Sequence, residues 1–294
     1  MKIGVLIGST TGNTENFAHI IMDELKKQDT ELEFQEYKIN QEMYKKNSQD
    51  SYEYPNCDAY MIGSYTDSYN LPIFVRQYLE AMPSELLHNK YVLTFGTYGG
   101  NNGHQQYVFE QILSEHGAVP VVHIKCLYPD SFVHAPFIYA KKINIKKKDV
   151  VTVPVKCKLF LDTLKSKQFK FVPKSKGCGL GLMNKLQQKR IPIKFVVKDT
   201  CVGCGACVEN CPSAVFSLKE GKAVVTNEDA CVGCYACFQK CPVHAIVDAK
   251  KNLEKKEQYK FKESLLIDQP KQSNWKSKCF IVIIIAGVVV MIVK

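Results

Sequence analysis

The sequence predicts an α/β fold: a doubly wound five-stranded parallel sheet, followed by a small α+β domain and a C-terminal hydrophobic helix. Three observations lead to this prediction. Short apolar runs alternate with helix-like stretches from residue 3 to residue 126, one cysteine pattern occurs twice between residues 201 and 242, and the chain ends in an uncharged run. Strands that alternate with helices indicate a parallel sheet that binds its ligand at the carboxyl ends of the strands.

The strand candidates of the sheet are short and apolar, and helix candidates lie between them. The first strand candidate, IGVLI at 3–7, precedes a stretch in which Phe17, Ile21 and Leu25 are spaced for one helix face. The other strand candidates are 32–39, 57–64, 91–97 and 118–126, and helix candidates lie near 72–82 and 104–116.

The loop after the first strand is rich in hydroxyl groups, and a ligand is expected there. It consists of Ser9, Thr10, Thr11, Gly12, Asn13 and Thr14. Hydroxyl and amide groups at a helix N-terminus bind phosphate. No lysine follows the glycine, so this is not a Walker A loop, and the absence of G-x-G-x-x-G argues against a dinucleotide. The alternative is a threonine-rich helix cap without a ligand.

The run S-x-T-G-x-T resembles the phosphate loop of flavodoxins, and this resemblance implies a flavodoxin-like sheet that binds FMN. In that family two further loops enclose the flavin ring, and here they correspond to 63–72 and 95–105. The resemblance implies further FMN contacts from Tyr65, Tyr69, Thr97, Tyr98 and Gly99, and close backbone approach at Gly96 and Gly100. Tyr65 and Asp67 stand where the family form S-P-T-[WY] has proline and an aromatic residue. The alternative for each tyrosine is a place in the core.

The doubled cysteine pattern reads CVGCGACVENCP at 201–212 and CVGCYACFQKCP at 231–242. It resembles the ligand run of two-cluster bacterial ferredoxins, in which the fourth cysteine of each run binds the other [4Fe-4S] cluster. The resemblance implies that one cluster is bound by Cys201, Cys204, Cys207 and Cys241, and the other by Cys231, Cys234, Cys237 and Cys211. Gly203 and Gly233 fit positions where backbone passes close to sulfide.

Two alternatives to iron–sulfur clusters stay open for these cysteines. Eight ligands could also fill two zinc sites, although zinc does not require a third cysteine at the next x2 step or the paired Cys-Pro. Disulfides need an oxidising compartment, and the chain starts at Met1 directly with an apolar strand-like run rather than a secretion signal.

Charge is divided unevenly along the chain. Residues 1–140 contain 9 Lys and Arg against 17 Asp and Glu, whereas residues 141–198 contain 17 against 2. The basic segment lacks interleaved aromatic residues, so nucleic acid is not an expected partner. It is either a solvated connector or a surface attracted to anionic membranes.

The C-terminal run from Cys279 to Val293 contains no charged residue and lies between Lys278 and Lys294. Fifteen residues span about 22 Å as a helix, less than the ~30 Å of a bilayer core. Snorkelling lysines, local thinning and the preceding Trp275 favour a membrane tail anchor. The alternative is a buried helix or strand of the second domain.

The whole layout resembles flavodoxin–ferredoxin fusion proteins. The expected domains are a flavodoxin-like domain at 1–165, a basic connector at 166–192, a ferredoxin domain at 193–249, a charged spacer at 250–278 and a tail anchor at 279–293. The resemblance implies FMN and two [4Fe-4S] clusters in one electron path to or from a redox protein partner, on the cytosolic face of an intracellular membrane or otherwise in the cytoplasm. Alternatives are a flavin-dependent reductase of quinones or nitro compounds and a tethered iron or redox sensor. Cys178, outside both runs, is expected to be a free thiol.

Overall fold

The computed structural model describes the N-terminal domain, the doubled cysteine pattern and the backbone of a C-terminal hairpin. The described residues are 1–39, 54–67, 70–99, 102–128, 147–169 and 193–249, with the backbone alone at 280–285 and 288–293.

Five parallel strands form the sheet of the first domain, in the order β2-β1-β3-β4-β5. The predicted five-stranded parallel sheet is therefore confirmed. The strands are β1 (Lys2–Gly8), β2 (Glu33–Lys38), β3 (Ala59–Tyr65), β4 (Tyr91–Tyr98) and β5 (Val119–Leu127).

Helices cover both faces of this sheet because apolar residues of each strand alternate between the two faces. In β1, Ile3, Val5 and Ile7 belong to one buried core, and Leu6 belongs to the other. The first core includes residues of α1 and α5, and the second includes residues of α2, α3 and α4. The helices are α1 (Asn13–Gln28), α2 (Ile73–Glu80), α3 (Ser84–Leu87), α4 (Gln105–Glu115) and α5 (Lys147–Ser166).

The second described domain is small and is built around the cysteines. Its ends pair as an antiparallel ladder, and a hairpin lies between the two cysteine runs. The hairpin turns at Glu220 and Gly221, whose φ angles of 49° and 73° are both positive, as a type I′ turn requires. The elements are β6 (Phe195–Val197), α6 (Ala206–Glu209), β7 (Phe216–Lys219), β8 (Lys222–Val225), a 3₁₀ turn (Glu228–Ala230), α7 (Ala236–Lys240) and β9 (Ile246–Asp248).

The core of this domain combines aromatic rings and cysteines with aliphatic side chains. Phe195 packs edge-on against Tyr235 with ring centroids 5.5 Å apart, and Tyr235 packs edge-on against Phe238 at 6.1 Å. The buried Tyr235 hydroxyl donates a hydrogen bond of 2.7 Å to Asp248 on β9. This bond fastens the second cysteine run to the strand that closes the domain.

The predicted C-terminal hydrophobic helix is not seen, and the described backbone of this segment forms strands. β10 (Phe280–Ile285) and β11 (Val288–Val293) pair as an antiparallel hairpin in which Ile285 is opposite Val288. Both strands consist largely of isoleucine and valine, whose β-branched side chains favour strands over helices.

Several predicted features lie outside the described residues. They are the charged spacer 250–278, most of the connector 166–192, and the single residues Tyr69, Gly100, Cys178 and Trp275. Within the described part of the chain, no helix combines the length and the apolar character needed to cross a membrane.

Candidate functional site

The loop Ser9–Thr14 joins the carboxyl end of β1 to the N-terminus of α1. Gly12 is in the left-handed region with φ 96°, and its N–H donates a hydrogen bond of 3.2 Å to the Ser9 hydroxyl. Helix α1 begins at Asn13, so its first amide groups lack partners within the helix and are directed toward this loop. The geometry suits an anionic group held by neutral donors at a helix N-terminus.

Three threonines, Thr14, Thr66 and Thr97, lie close together at this end of the sheet and form a threonine cluster. The hydroxyl of Thr14, on α1, is 2.8 Å from the hydroxyl of Thr97, on β4, and both residues are buried. The N–H of Thr66, just after β3, donates to the Thr97 carbonyl at 2.8 Å. The Thr66 hydroxyl is buried and has no hydrogen-bond partner among the described residues. Thr66 was not singled out in the sequence, although it is the threonine of the S-P-T-[WY] position.

The loop after β3 is held by a short bridge rather than by packing alone. The N–H of Asp67 donates to the carbonyl of Asn70 at 2.9 Å, and the N–H of Asn70 donates back at 2.8 Å. The ring of Tyr65 is 6.4 Å from that of Phe74 and packs against the core on the α2 side of the sheet. The ring of Tyr65 therefore combines a core contact with a position beside the threonine cluster.

Two predicted FMN contacts, Tyr98 and Gly99, lie at the carboxyl end of β4. The Tyr98 hydroxyl donates to the buried carboxylate of Asp149 at 2.9 Å, and Asp149 also accepts the N–H of Leu127. Burial, with the adjacent Asp149 carboxylate, holds the pKa of Tyr98 far above its ordinary value. Gly99, the next predicted contact, directly follows Tyr98 and is partly exposed.

Gly96 adjoins a buried glutamine that the sequence did not indicate. A Cβ at Gly96 would lie 1.8 Å from Oε1 of Gln105, which is fully buried. The Gln105 side chain donates to the Ser64 carbonyl at 3.0 Å and so joins α4 to the end of β3. A side chain at position 96 would therefore displace the amide of Gln105.

Seven of the eight cysteines of the doubled pattern lie near cysteines of the other run, in two separate groups. Burial raises the pKa of Cys207 to about 11, and Cys201 and Cys241 are close enough to add to this rise. Burial likewise raises the pKa of Cys237 well above its ordinary value, with added effects from Cys234, Cys211 and Cys231. The last cysteine of each run thus lies beside the thiols of the other run. Cys204, between Cys201 and Cys207 in sequence, is exposed.

Backbone N–H groups point at three of these sulfurs. The fourth cysteine of each run accepts an N–H from the fourth residue after it: Val215 to Cys211 at 3.3 Å and Ala245 to Cys241 at 3.2 Å. Cys201 accepts the N–H of Ala223 at 3.4 Å. This bond and that from the Gly203 N–H lower the pKa of Cys201, because they stabilise the thiolate.

Glycine was expected at position 203 for close approach to sulfide, but the structure requires it for close approach to the hairpin β7–β8. Its φ is 67°, and a Cβ there would lie 2.0 Å from the carbonyl oxygen of Gly221, on the hairpin β7–β8. The backbone of the first run therefore passes against the hairpin turn.

None of the described cysteines forms a disulfide, so the disulfide alternative is not seen among them. Within the same residues, no group of three or more histidine, cysteine, aspartate or glutamate side chains has an arrangement suited to a single metal ion.

Comparisons with known proteins match the two described domains separately. Residues 4–117 match the family model described as "Flavodoxin domain", and residues 200–245 match "4Fe-4S dicluster domain". Ferredoxin-2 of Desulfomicrobium norvegicum is 53% identical over 30 residues, which are 10% of this chain and 51% of that protein. The match thus spans about half the length of that relative.

Solved structures resemble the first domain at low identity. A flavodoxin from the domain Archaea is 20% identical with a TM-score of 0.40, covering 56% of this chain and 99% of that one. Oxidised Flavodoxin 2 from Bacillus cereus is 22% identical with a TM-score of 0.36, covering 55% and 99%. On the two family matches alone, the chain contains a flavodoxin domain at residues 4–117 and a 4Fe-4S dicluster domain at residues 200–245.

Proposed function

We propose that the protein is an iron–sulfur flavoprotein that transfers electrons between FMN and two [4Fe-4S] clusters, to or from a redox protein partner. The domains proposed for these roles are 1–165 for FMN and 193–249 for the clusters, with the basic connector 166–192 between them. One observation carries the proposal. The proposal is supported by the position of the last cysteine of each run: Cys241 lies near Cys201 and Cys207, and Cys211 lies near Cys231, Cys234 and Cys237.

This grouping supports crossed ligation of two clusters. Cys201, Cys204, Cys207 and Cys241 would bind one cluster, and Cys231, Cys234, Cys237 and Cys211 would bind the second. Hydrogen bonds from backbone N–H groups to cysteine sulfur stabilise the more negative, reduced state of a cluster and so raise its potential. The N–H groups of Val215, Ala223 and Ala245 are placed for that role.

The threonine cluster supports FMN in the first domain. Ser9, Thr10, Thr11, Gly12, Asn13 and Thr14 would hold the phosphate through hydroxyl and backbone N–H groups. The unpartnered Thr66 hydroxyl and the joined Thr14 and Thr97 hydroxyls offer further polar contacts. Tyr65, Tyr98 and Gly99 are the proposed contacts nearer the ring. A bound flavin supplies storage for two electrons that can be released singly.

Placing both domains on one chain makes transfer between them intramolecular. A linked partner is present at an effective concentration set by the linker rather than by collision in solution. Neither described domain needs an added substrate pocket for this function.

Membrane attachment through residues 279–293 is a separate proposal. It is supported by fifteen uncharged residues between two lysines. Because an open hairpin leaves edge backbone groups without partners in hydrocarbon, attachment requires these residues to leave the two-stranded form and become helical in lipid. Both redox domains would then remain on the cytosolic side.

The proposed function is tested by reducing the flavin of the full chain under anaerobic conditions with light and following the clusters by electron paramagnetic resonance. Reduced-cluster signals should appear as the flavin is reduced. The control is the Thr11→Asp, Thr14→Asp variant, which should keep its clusters but lose FMN and the light-driven signals. Turnover of quinones or nitro compounds without cluster reduction would favour a flavin reductase instead. Cluster loss that alters partner binding without electron transfer would favour a sensor.

A further inference from the structure

Helix α5 carries apolar residues on both of its sides. Val153 and Phe160 belong to the first core and are 2% and 0% exposed. Val151, Val155 and Leu159 follow one another at intervals of four residues and therefore lie on one side of the helix. They are 59%, 71% and 45% exposed, although a surface helix normally presents polar residues to solvent. These three residues form an apolar stripe on the outer side of α5.

Positive charge accompanies the apolar stripe. Lys158, three residues after Val155, is exposed and lies beside the stripe. At the two ends of α5 the sequence is strongly basic, because residues 141–148 and residues 165–176 each contain five lysines and no acidic residue. The exposed carboxylate of Asp162 offsets only one of these charges. The apolar stripe thus lies within the most basic part of the chain.

A cleft of about 440 Å³ lies beside the stripe, where the end of α1 meets α5. Its lining from α5 combines apolar side chains with two ammonium groups and one carboxylate: Pro154, Val155, Leu161, Lys158, Lys165 and Asp162. Lys165 is held there by an ion pair with Asp29 at 3.1 Å. The cleft therefore adds an apolar space with a cationic edge next to the exposed stripe.

We propose that the outer side of α5 binds the surface of an anionic membrane. The apolar stripe enters the boundary between headgroups and acyl chains, and Lys158 and the lysines at the ends of α5 lie near the lipid phosphates. Helices that lie on membranes combine these two features, and negatively charged leaflets attract basic segments. This contact is separate from the proposed insertion of residues 279–293 and requires neither FMN nor the clusters.

The same surface fits other partners less well. In an antiparallel pair of α5 helices centred on Val155, the stripes of two copies would meet, but the lysine-rich ends of the two copies would face and repel each other. Nucleic acid would neutralise the lysines but would leave the aliphatic stripe in water. A membrane surface satisfies both the charges and the apolar side chains.

The test places a tryptophan on the apolar stripe of the full chain. Val155→Trp is combined with Trp275→Phe, which removes the single native tryptophan, and position 155 is exposed enough to accept the larger ring. The protein, prepared anaerobically with its cofactors, is mixed with vesicles of brominated phosphatidylcholine, with or without phosphatidylserine. Bromine on the acyl chains quenches an indole that reaches them. Fluorescence should fall about twofold with the anionic vesicles, stay unchanged with the neutral ones, and recover at about 1 M salt, where the Debye length is about 3 Å.

Matched controls accompany this measurement. Ile73→Trp with Trp275→Phe places the indole on a residue that is 45% exposed at the start of α2, on the other face of the sheet, and it should not be quenched. Lys158→Gln, added to the Val155→Trp chain, should raise the lipid concentration for half-maximal quenching about fivefold. Lys194→Gln, which changes an exposed lysine of the second described domain, should leave that concentration unchanged.

The outcomes that overturn the proposal are distinct from one another. Equal quenching at positions 73 and 155, equal quenching by neutral and anionic vesicles, or no quenching at position 155 contradicts it. If the chain sediments with vesicles while position 155 stays unquenched, residues 279–293 account for the attachment instead. An emission shift without vesicles that grows with protein concentration shows that a second copy covers the stripe. Each readout is independent of electron transfer, so these results leave the proposed function untouched.

Discussion

Gly203 and Gly221 provide a matched pair of substitutions in the dicluster domain. Both glycines have positive φ, 67° and 73°, so alanine at either position costs about 1–2 kcal/mol for the left-handed backbone. A Cβ at Gly221 would meet nothing within 4 Å, whereas a Cβ at Gly203 would lie 2.0 Å from the Gly221 carbonyl oxygen. That contact requires a backbone shift, which adds about 1–3 kcal/mol by overpacking. Gly203→Ala is therefore expected to be the more destabilising.

The effect of Gly203→Ala should also reach the proposed cluster site at Cys201. The Gly203 N–H is hydrogen-bonded to Cys201, so a shift of this backbone moves a donor to a proposed ligand. For a domain of this size, each kcal/mol lowers the midpoint of thermal unfolding by about 4–8 °C. Unfolding is followed anaerobically through the visible absorption of the clusters. Equal midpoints for Gly203→Ala and Gly221→Ala would refute the close contact between the first run and the hairpin.

Three further predictions concern the flavin loop, the buried tyrosines and the C-terminus. Thr11→Asp with Thr14→Asp should weaken FMN binding, because unit charges about 4 Å apart repel by about 4 kcal/mol at an effective dielectric constant of about 20. Thr11→Asn with Thr14→Asn is the neutral control. FMN binding is measured by fluorescence titration, and tight binding by the Asp variant would exclude this loop as the phosphate site. Burial raises the pKa of Tyr60 to about 12, above the ordinary value of 10, so the folded state keeps a proton that the unfolded state loses. The free energy of unfolding should accordingly fall as pH rises from about 10 to 12, less steeply in Tyr60→Phe; a pH-independent denaturant midpoint in this range would contradict the burial of the phenol. A chain ending at Lys278 should retain FMN and both clusters. The full chain should resist extraction from membranes by carbonate. Loss of cofactors on truncation would instead show that the C-terminal segment belongs to a redox domain.

Much of the first domain could be predicted because its strands are short apolar runs with clear boundaries. The predicted strands 91–97 and 118–126 correspond to Tyr91–Tyr98 and Val119–Leu127. The candidate phosphate loop could be proposed because its residues are contiguous in sequence. Crossed ligation could be proposed because the spacing of each cysteine run is itself the signal.

The features that could not be predicted depend on contacts between residues far apart in the chain, or on whether an apolar run forms a helix or a strand. Hydrophobic periodicity does not decide between those two. The pairs Thr14 with Thr97 and Tyr98 with Asp149 join residues far apart in the chain, and no local pattern marks them. The C-terminal run was predicted as a helix from its length and lack of charge, although such a run does not distinguish a helix from strands without its β-branched composition.

The central claim is most directly tested by chemical analysis of anaerobically prepared protein together with the Cys211→Ala variant. The unmodified chain should contain about eight irons, about eight acid-labile sulfides and one FMN. Cys211→Ala should lose the cluster bound by Cys231, Cys234 and Cys237, and keep the cluster of its own run, as resolved by electron paramagnetic resonance. Stoichiometric zinc without sulfide, or loss of the cluster bound by Cys201, Cys204 and Cys207 in Cys211→Ala, would contradict the account.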